Sequence, residues 1–210
     1  MKLLREYIRA LLTEAAKDPE DLPDGVGIAY SQQNQSISVM YYHIGEKTPL
    51  SGGWKGSRAL AQRGLPIGKV TIGRQLLPDY RGECSGAFEV HGSSATHGWG
   101  PMLYDVAMEL ATIQGGGLIS DREAVSGEAR KVWGYYAANR GDVTGIQMDD
   151  LENTLTPEEE DNCEQNVATY STGYPSANTT DWTKSPLSKR WTKPPTTMNA
   201  LKAAGKLVEL

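Results

Sequence analysis

The chain has 210 residues, 39% of them hydrophobic and 22% charged, with a net charge of −5. That size suits one domain with extensions, and the acidic balance argues against dominant nucleic-acid binding, because tracking a phosphate backbone needs a basic surface. No apolar run approaches the roughly 20 residues of a membrane-spanning helix, and three scattered histidines with two distant cysteines match no metal-ligand spacing.

Leu3, Leu4, Tyr7, Ile8, Leu11 and Leu12 recur at intervals of three and four, with Lys2, Arg5, Glu6 and Arg9 on the other face. This spacing predicts an amphipathic helix within residues 1–16. Charges inside its apolar region set it apart from a secretory signal. Residues 17–25, with Pro19, Pro23 and Gly25, read as a linker. Residues 26–31 and 36–43 read as strands joined by a turn at 32–35. Five glycines and two prolines without a period make 45–66 a long loop. Residues 69–76 and 86–90 read as two more strands, with the turn between them at 78–82. Cys84 then falls in a strand-like setting typical of a buried, inert thiol, and two lone cysteines fit a reduced compartment.

The most informative stretch is 90–142. A strand ends at Val90, and a turn of small residues occupies 91–100. Pro101 opens a helix over 102–113, whose apolar stripe is Leu103, Val106, Ala107, Leu110 and Ala111. Gly115-Gly116-Gly117 ends that helix, and 118–120 is a short strand. A second helix covers 125–139, with Ser126 as N-cap and Glu128 in its first turn. Strand, glycine turn and helix start together offer free N–H groups and a positive helix end to a phosphate. A phosphate-bearing cofactor is therefore the first functional expectation. Beyond Asp149 the texture changes: eight acids lie within 149–164, a Ser/Thr/Asn/Tyr-rich segment follows to about 183, and the tail is basic.

Four strands, a glycine turn, a helix, a short strand and an aromatic helix, in that order, make residues 26–143 resemble the GNAT acetyltransferase superfamily. The resemblance implies an α/β (α+β) fold: a mixed, mostly antiparallel twisted sheet with helices on both faces. It also implies acetyl-CoA as cofactor, its pyrophosphate held by the turn Ala95-Thr96-His97-Gly98-Trp99-Gly100, which matches the family pattern R/Q-x-x-G-x-G/A. Ala95 stands where that pattern has Arg or Gln, so one polar contact is missing while the backbone donors remain. The family's tyrosine, which serves the departing thiolate, corresponds to Tyr136 or Tyr135, with Tyr136 five residues before Gly141. A phenol near pKa 10 suits that protonation. The base that deprotonates an incoming amine would be Glu89 or His91. The same residues also have plainer readings. Trp99, Trp133, Tyr104, Tyr135 and Tyr136 suit packing, and Gly98 and Gly100 suit a tight turn. A nucleophile built from Cys84 with His91 or His97 lacks an orienting third residue. Asp121-Arg122 reads as a surface ion pair.

The N-terminal residues carry a second resemblance. Met1-Lys2-Leu3-Leu4-Arg5-Glu6-Tyr7-Ile8, with Leu12-Thr13-Glu14 before Ala15-Ala16, resembles the capsid-targeting helices and protease cut sites of large tailed phages. His97-Gly98-Trp99-Gly100-Pro101 and the ending from Lys193-Pro194-Pro195 resemble an uncharacterised phage protein family. The organisation expected is a targeting helix at 1–16, a linker at 17–25, a GNAT-like domain at 26–148 and a polar extension at 149–210. The function implied is acyl-CoA-dependent N-acyl transfer in a phage, to an amine acceptor left open. The alternative is a non-catalytic internal head or virion protein on the same scaffold. The location implied is host cytoplasm or virion interior. The partner implied is the capsid or its scaffold, through residues 1–16, and neither membrane nor metal is expected.

Overall fold

A computed structural model describes residues 17–51, 65–74, 84–96, 98–122, 125–149 and 183–210. The helix expected within 1–16, the turn at 78–82, His97 and nearly all of the acidic run lie outside the described residues. The chain forms a mixed α/β structure with a mostly antiparallel sheet and, among the described residues, three α-helices. It divides into two compact units, residues 1–71, 93–107 and 195–210 in the first, 72–92 and 108–194 in the second.

The first unit is built on a hairpin. β1 (Val26–Gln33) and β2 (Ser36–His43) pair antiparallel from Val26↔His43 to Gln33↔Ser36. Ile28, Ile37, Val39 and Tyr41 are fully buried, and Ala29, Met40 and Tyr42 form a second buried cluster, so the hairpin carries apolar residues on both faces. The two-residue turn places Asn34 at φ 54, a left-handed conformation that Asn tolerates better than most residues. β3 (Thr48–Pro49) adds to β2, inside the segment expected as loop. β9 (Leu207–Glu209) pairs parallel with β1 on its other edge, Ile28 opposite Leu207. β4 (Gly68–Arg74) begins here, and helix α3 (Thr196–Ala203) precedes β9. Residues 196–209, expected within a polar extension, therefore form part of the folded body.

In the second unit β5 (Phe88–Ala95) pairs parallel with β6 (Leu118–Ile119). β8 (Lys189–Thr192) lies antiparallel to β6 on one side and to β7 (Thr144–Gln147) on the other. Helix α2 (Gly127–Asn139) begins at Ser126, whose hydroxyl accepts the Ala129 amide at 3.2 Å, as its N-cap position requires. Trp133, Tyr136 and Trp191 are buried together, the two indoles stacked with centroids 6.4 Å apart. Gly116 packs so closely that a Cβ there would lie 2.2 Å from the Ser85 carbonyl oxygen. The chain can approach there only without a side chain. Cys84 is buried but disulfide-bonded, so it is not the free thiol expected of a reduced compartment.

Two elements extend past their sequence-based bounds. β5 continues to Ala95, through half of the segment expected as turn. Helix α1 (Gly100–Gln114) puts Pro101 at its second position, and every residue from 102 to 111 is buried. A single apolar stripe was expected. The run contains only two charged residues, Asp105 and Glu109, and both are buried with partners: Asp105 with Thr197 in the first unit, Glu109 with Lys193 in the second.

Candidate functional site

The turn between β5 and α1 is held mainly through its carbonyls. Thr96 closes it at one end: its amide donates to the Ile67 carbonyl at 2.8 Å, and its Oγ1 accepts the Ile67 amide at 3.2 Å. The Trp99 amide returns to the Thr96 carbonyl at 3.0 Å. Between them Gly98 has φ +82, the left-handed region where a Cβ is strained. The Tyr41 hydroxyl donates to the Trp99 carbonyl at 2.6 Å, and the two rings meet edge to face at 5.6 Å. Burial, reinforced by the Asp105 carboxylate, pushes the Tyr41 phenol well up, so it remains a neutral donor. The Lys17 amide donates to the Gly98 carbonyl at 3.1 Å.

The amides are used differently. Among the described residues, the Gly98 and Gly100 amides make no backbone hydrogen bond to a loop or turn carbonyl. They stand at the start of a helix whose dipole makes that end positive. Ala95 is exposed, Thr96 and Trp99 are half-buried, and His97 lies outside the described residues. Tyr104 and Ser93 form a nearby pair, the phenol donating to Ser93 Oγ at 2.8 Å.

The remaining candidates belong to the second unit. Glu89 is 4% exposed, and its Oε1 accepts the Arg122 amide at 2.7 Å. Arg122, expected at the surface, is itself buried and donates to the Leu187 carbonyl at 3.4 Å. His91 is exposed, its ring lying close over Gly73. Tyr135 and Tyr136 come together with ring centroids 5.7 Å apart; Tyr136 is buried and Tyr135 half-buried. The Arg140 guanidinium lies 5.9 Å and 5.7 Å from their two centroids.

Arg140 also opens a network that the sequence reading did not find. Its Nε and a terminal nitrogen each lie 2.7 Å from an Asp142 carboxylate oxygen. Asp142 Oδ2 is 3.2 Å from Lys193 Nζ, and Lys193 also pairs with Glu109, both of them fully buried. The Arg140 hydrogen bonds, with Lys193 in support, hold the Asp142 carboxyl well below the usual carboxylate range. One signal for this was present in the sequence: a helix whose only charges are Asp105 and Glu109 has no polar face to turn to water. The partner of Glu109 lies 84 residues away, beyond any local pattern.

Among the described residues, no helix is long and apolar enough to cross a membrane, and no group of three acidic, histidine or cysteine side chains could hold a metal. Comparison of the chain with protein-family models, with curated proteins and with solved structures gives no match.

Proposed function

We propose that the chain is an acyl-CoA-dependent N-acyltransferase with a GNAT-like fold, and that the β5–α1 turn receives the coenzyme's pyrophosphate. The observation that carries this reading is the turn at Gly98, with φ +82, leading directly into the positive end of a helix that is buried from Met102 to Ala111. The coenzyme would supply the acyl thioester. Of the two tyrosines that the resemblance offers for the thiolate, Tyr135 is the less buried. Of the two candidate bases, His91 is exposed on β5, whereas Glu89 already accepts a main-chain amide.

Burial of Glu89 and Tyr136 favours the second reading, a non-catalytic virion component on the same scaffold. Thermal unfolding with acetyl-CoA separates the two. At a hundredfold excess over its dissociation constant, a bound coenzyme adds about 2.7 kcal/mol of stability. Gly98→Val, which places a branched side chain at a left-handed position, should abolish that gain. An unchanged melting temperature at millimolar acetyl-CoA would remove the transferase reading and leave the virion one.

A further inference from the structure

Residues 17–22 read as a linker, yet they are tied at both ends. At one end is the bond from the Lys17 amide to the Gly98 carbonyl. In the middle, 19–21 form a 3-10 turn in which the Asp18 amide donates to Asp21 Oδ2 at 2.9 Å. At the other end Leu22 is buried, and its carbonyl accepts from Lys206 Nζ at 2.8 Å. Lys206 is in turn fixed between α3 and β9: its amide donates to the Leu201 carbonyl at 2.7 Å, and its carbonyl accepts the Ile28 amide at 2.8 Å. None of residues 19–21 is buried. Beside them lies an open groove of about 700 Å³, lined by Asp18, Glu20, Ala200, Ala203 and Lys206 among others. The segment is thus held by a few directional bonds, one buried leucine and a light contact of its 3-10 turn with α3, with the groove beside it.

Three tethers reach the β5–α1 turn from outside. Tyr41 holds Trp99 from within β2, and Ile67 holds Thr96 from the approach to β4; both belong to the sheet or its immediate flank. Among the described residues, Lys17 is the tether that comes from a segment outside the sheet, one whose 3-10 turn is not buried. It is also the tether on Gly98, whose left-handed backbone sets the direction of the amides that follow.

We propose that residues 17–22 are a strap that fixes the aim of the Gly98, Gly100 and Met102 amides, and that the strap is released from its far end at Lys206 and Leu22. When the Lys206 ammonium leaves the Leu22 carbonyl, the 3-10 turn swings into the groove, Lys17 withdraws from Gly98, and the turn relaxes. Two discrete positions of one short segment carry the coupling, so no deformation of the sheet is needed. Only the consequence for coenzyme binding rests on the function proposed above.

Amide hydrogen exchange on the full chain tests this, because exchange reports local opening directly. Lys206→Met keeps the aliphatic stem and removes the donor; it should speed exchange at residues 98–103 about fivefold or more while the β1–β2 hairpin is unchanged. Lys17→Pro, which removes the amide proton, should do at least as much, and Leu22→Ala takes its place if that variant does not fold. No change at 98–103 in Lys206→Met overturns the strap, and so does a rise of equal size in the hairpin. Titration of the same variants with acetyl-CoA keeps the two proposals apart. Faster exchange without coenzyme binding by the unaltered protein supports the strap and removes the transferase, whereas binding with unchanged exchange does the reverse.

Discussion

In the turn of the first unit, Tyr41, Lys17 and Thr96 hold carbonyls or close the chain, and the positive end of α1 follows directly. In the second unit Glu109, Lys193, Asp142 and Arg140 close on one another, two acids against two bases. Both regions place polar groups against buried structure. The network satisfies its own charges and so contributes to holding the fold. The turn instead presents half-buried main chain at a positive helix end, where little charge is buried.

The largest effect expected to bear on this contrast comes from Lys193→Met. It strands the fully buried Glu109 carboxylate, and denaturant unfolding should register a loss of about 3–5 kcal/mol. Adding Glu109→Leu should restore much of that loss, since removing both charges is far cheaper than removing one. A single-variant loss below about 1 kcal/mol would mean that the pair is not sequestered from water.

Tyr41→Phe probes the turn instead. It removes one hydrogen bond to the Trp99 carbonyl and should cost about 1 kcal/mol in the same measurement. A cost as large as that of Lys193→Met would erase the distinction between the two regions.

The smallest effect is a pH dependence. The folded-state pKa of Asp142 is depressed, so its contribution is complete above about pH 5 and drains away as pH falls through the folded value. Its side chain is 35% exposed, so solvent screening limits the contribution to roughly 1 kcal/mol or less. Asp142→Asn should lower stability at neutral pH and flatten the acid side of the stability profile by that amount. A variant with the same acid slope as the parent would place the acid sensitivity elsewhere.

Local rules account for what could be read without coordinates. The apolar runs of β1 and β2 around a short polar turn encode the hairpin, and Ser126 marks the start of α2, because residues a few positions apart decide both. The glycine turn was legible for the same reason: Gly98 and Pro101 constrain their own backbone. Tertiary structure decided where β5 ends, since His91, Gly92, Ser93, Ser94 and Ala95 carry no strand pattern and join the strand through their neighbours. It decided that a polar tail supplies β8, α3 and β9, each strand finding partners far back in the chain. It also made Glu89 and Arg122 buried partners and turned Asp105 and Glu109 inward. Periodicity reports only which face of an element is apolar. Whether the opposite face meets water or an opposite charge 84 residues away depends on contacts that do not exist until the chain has folded.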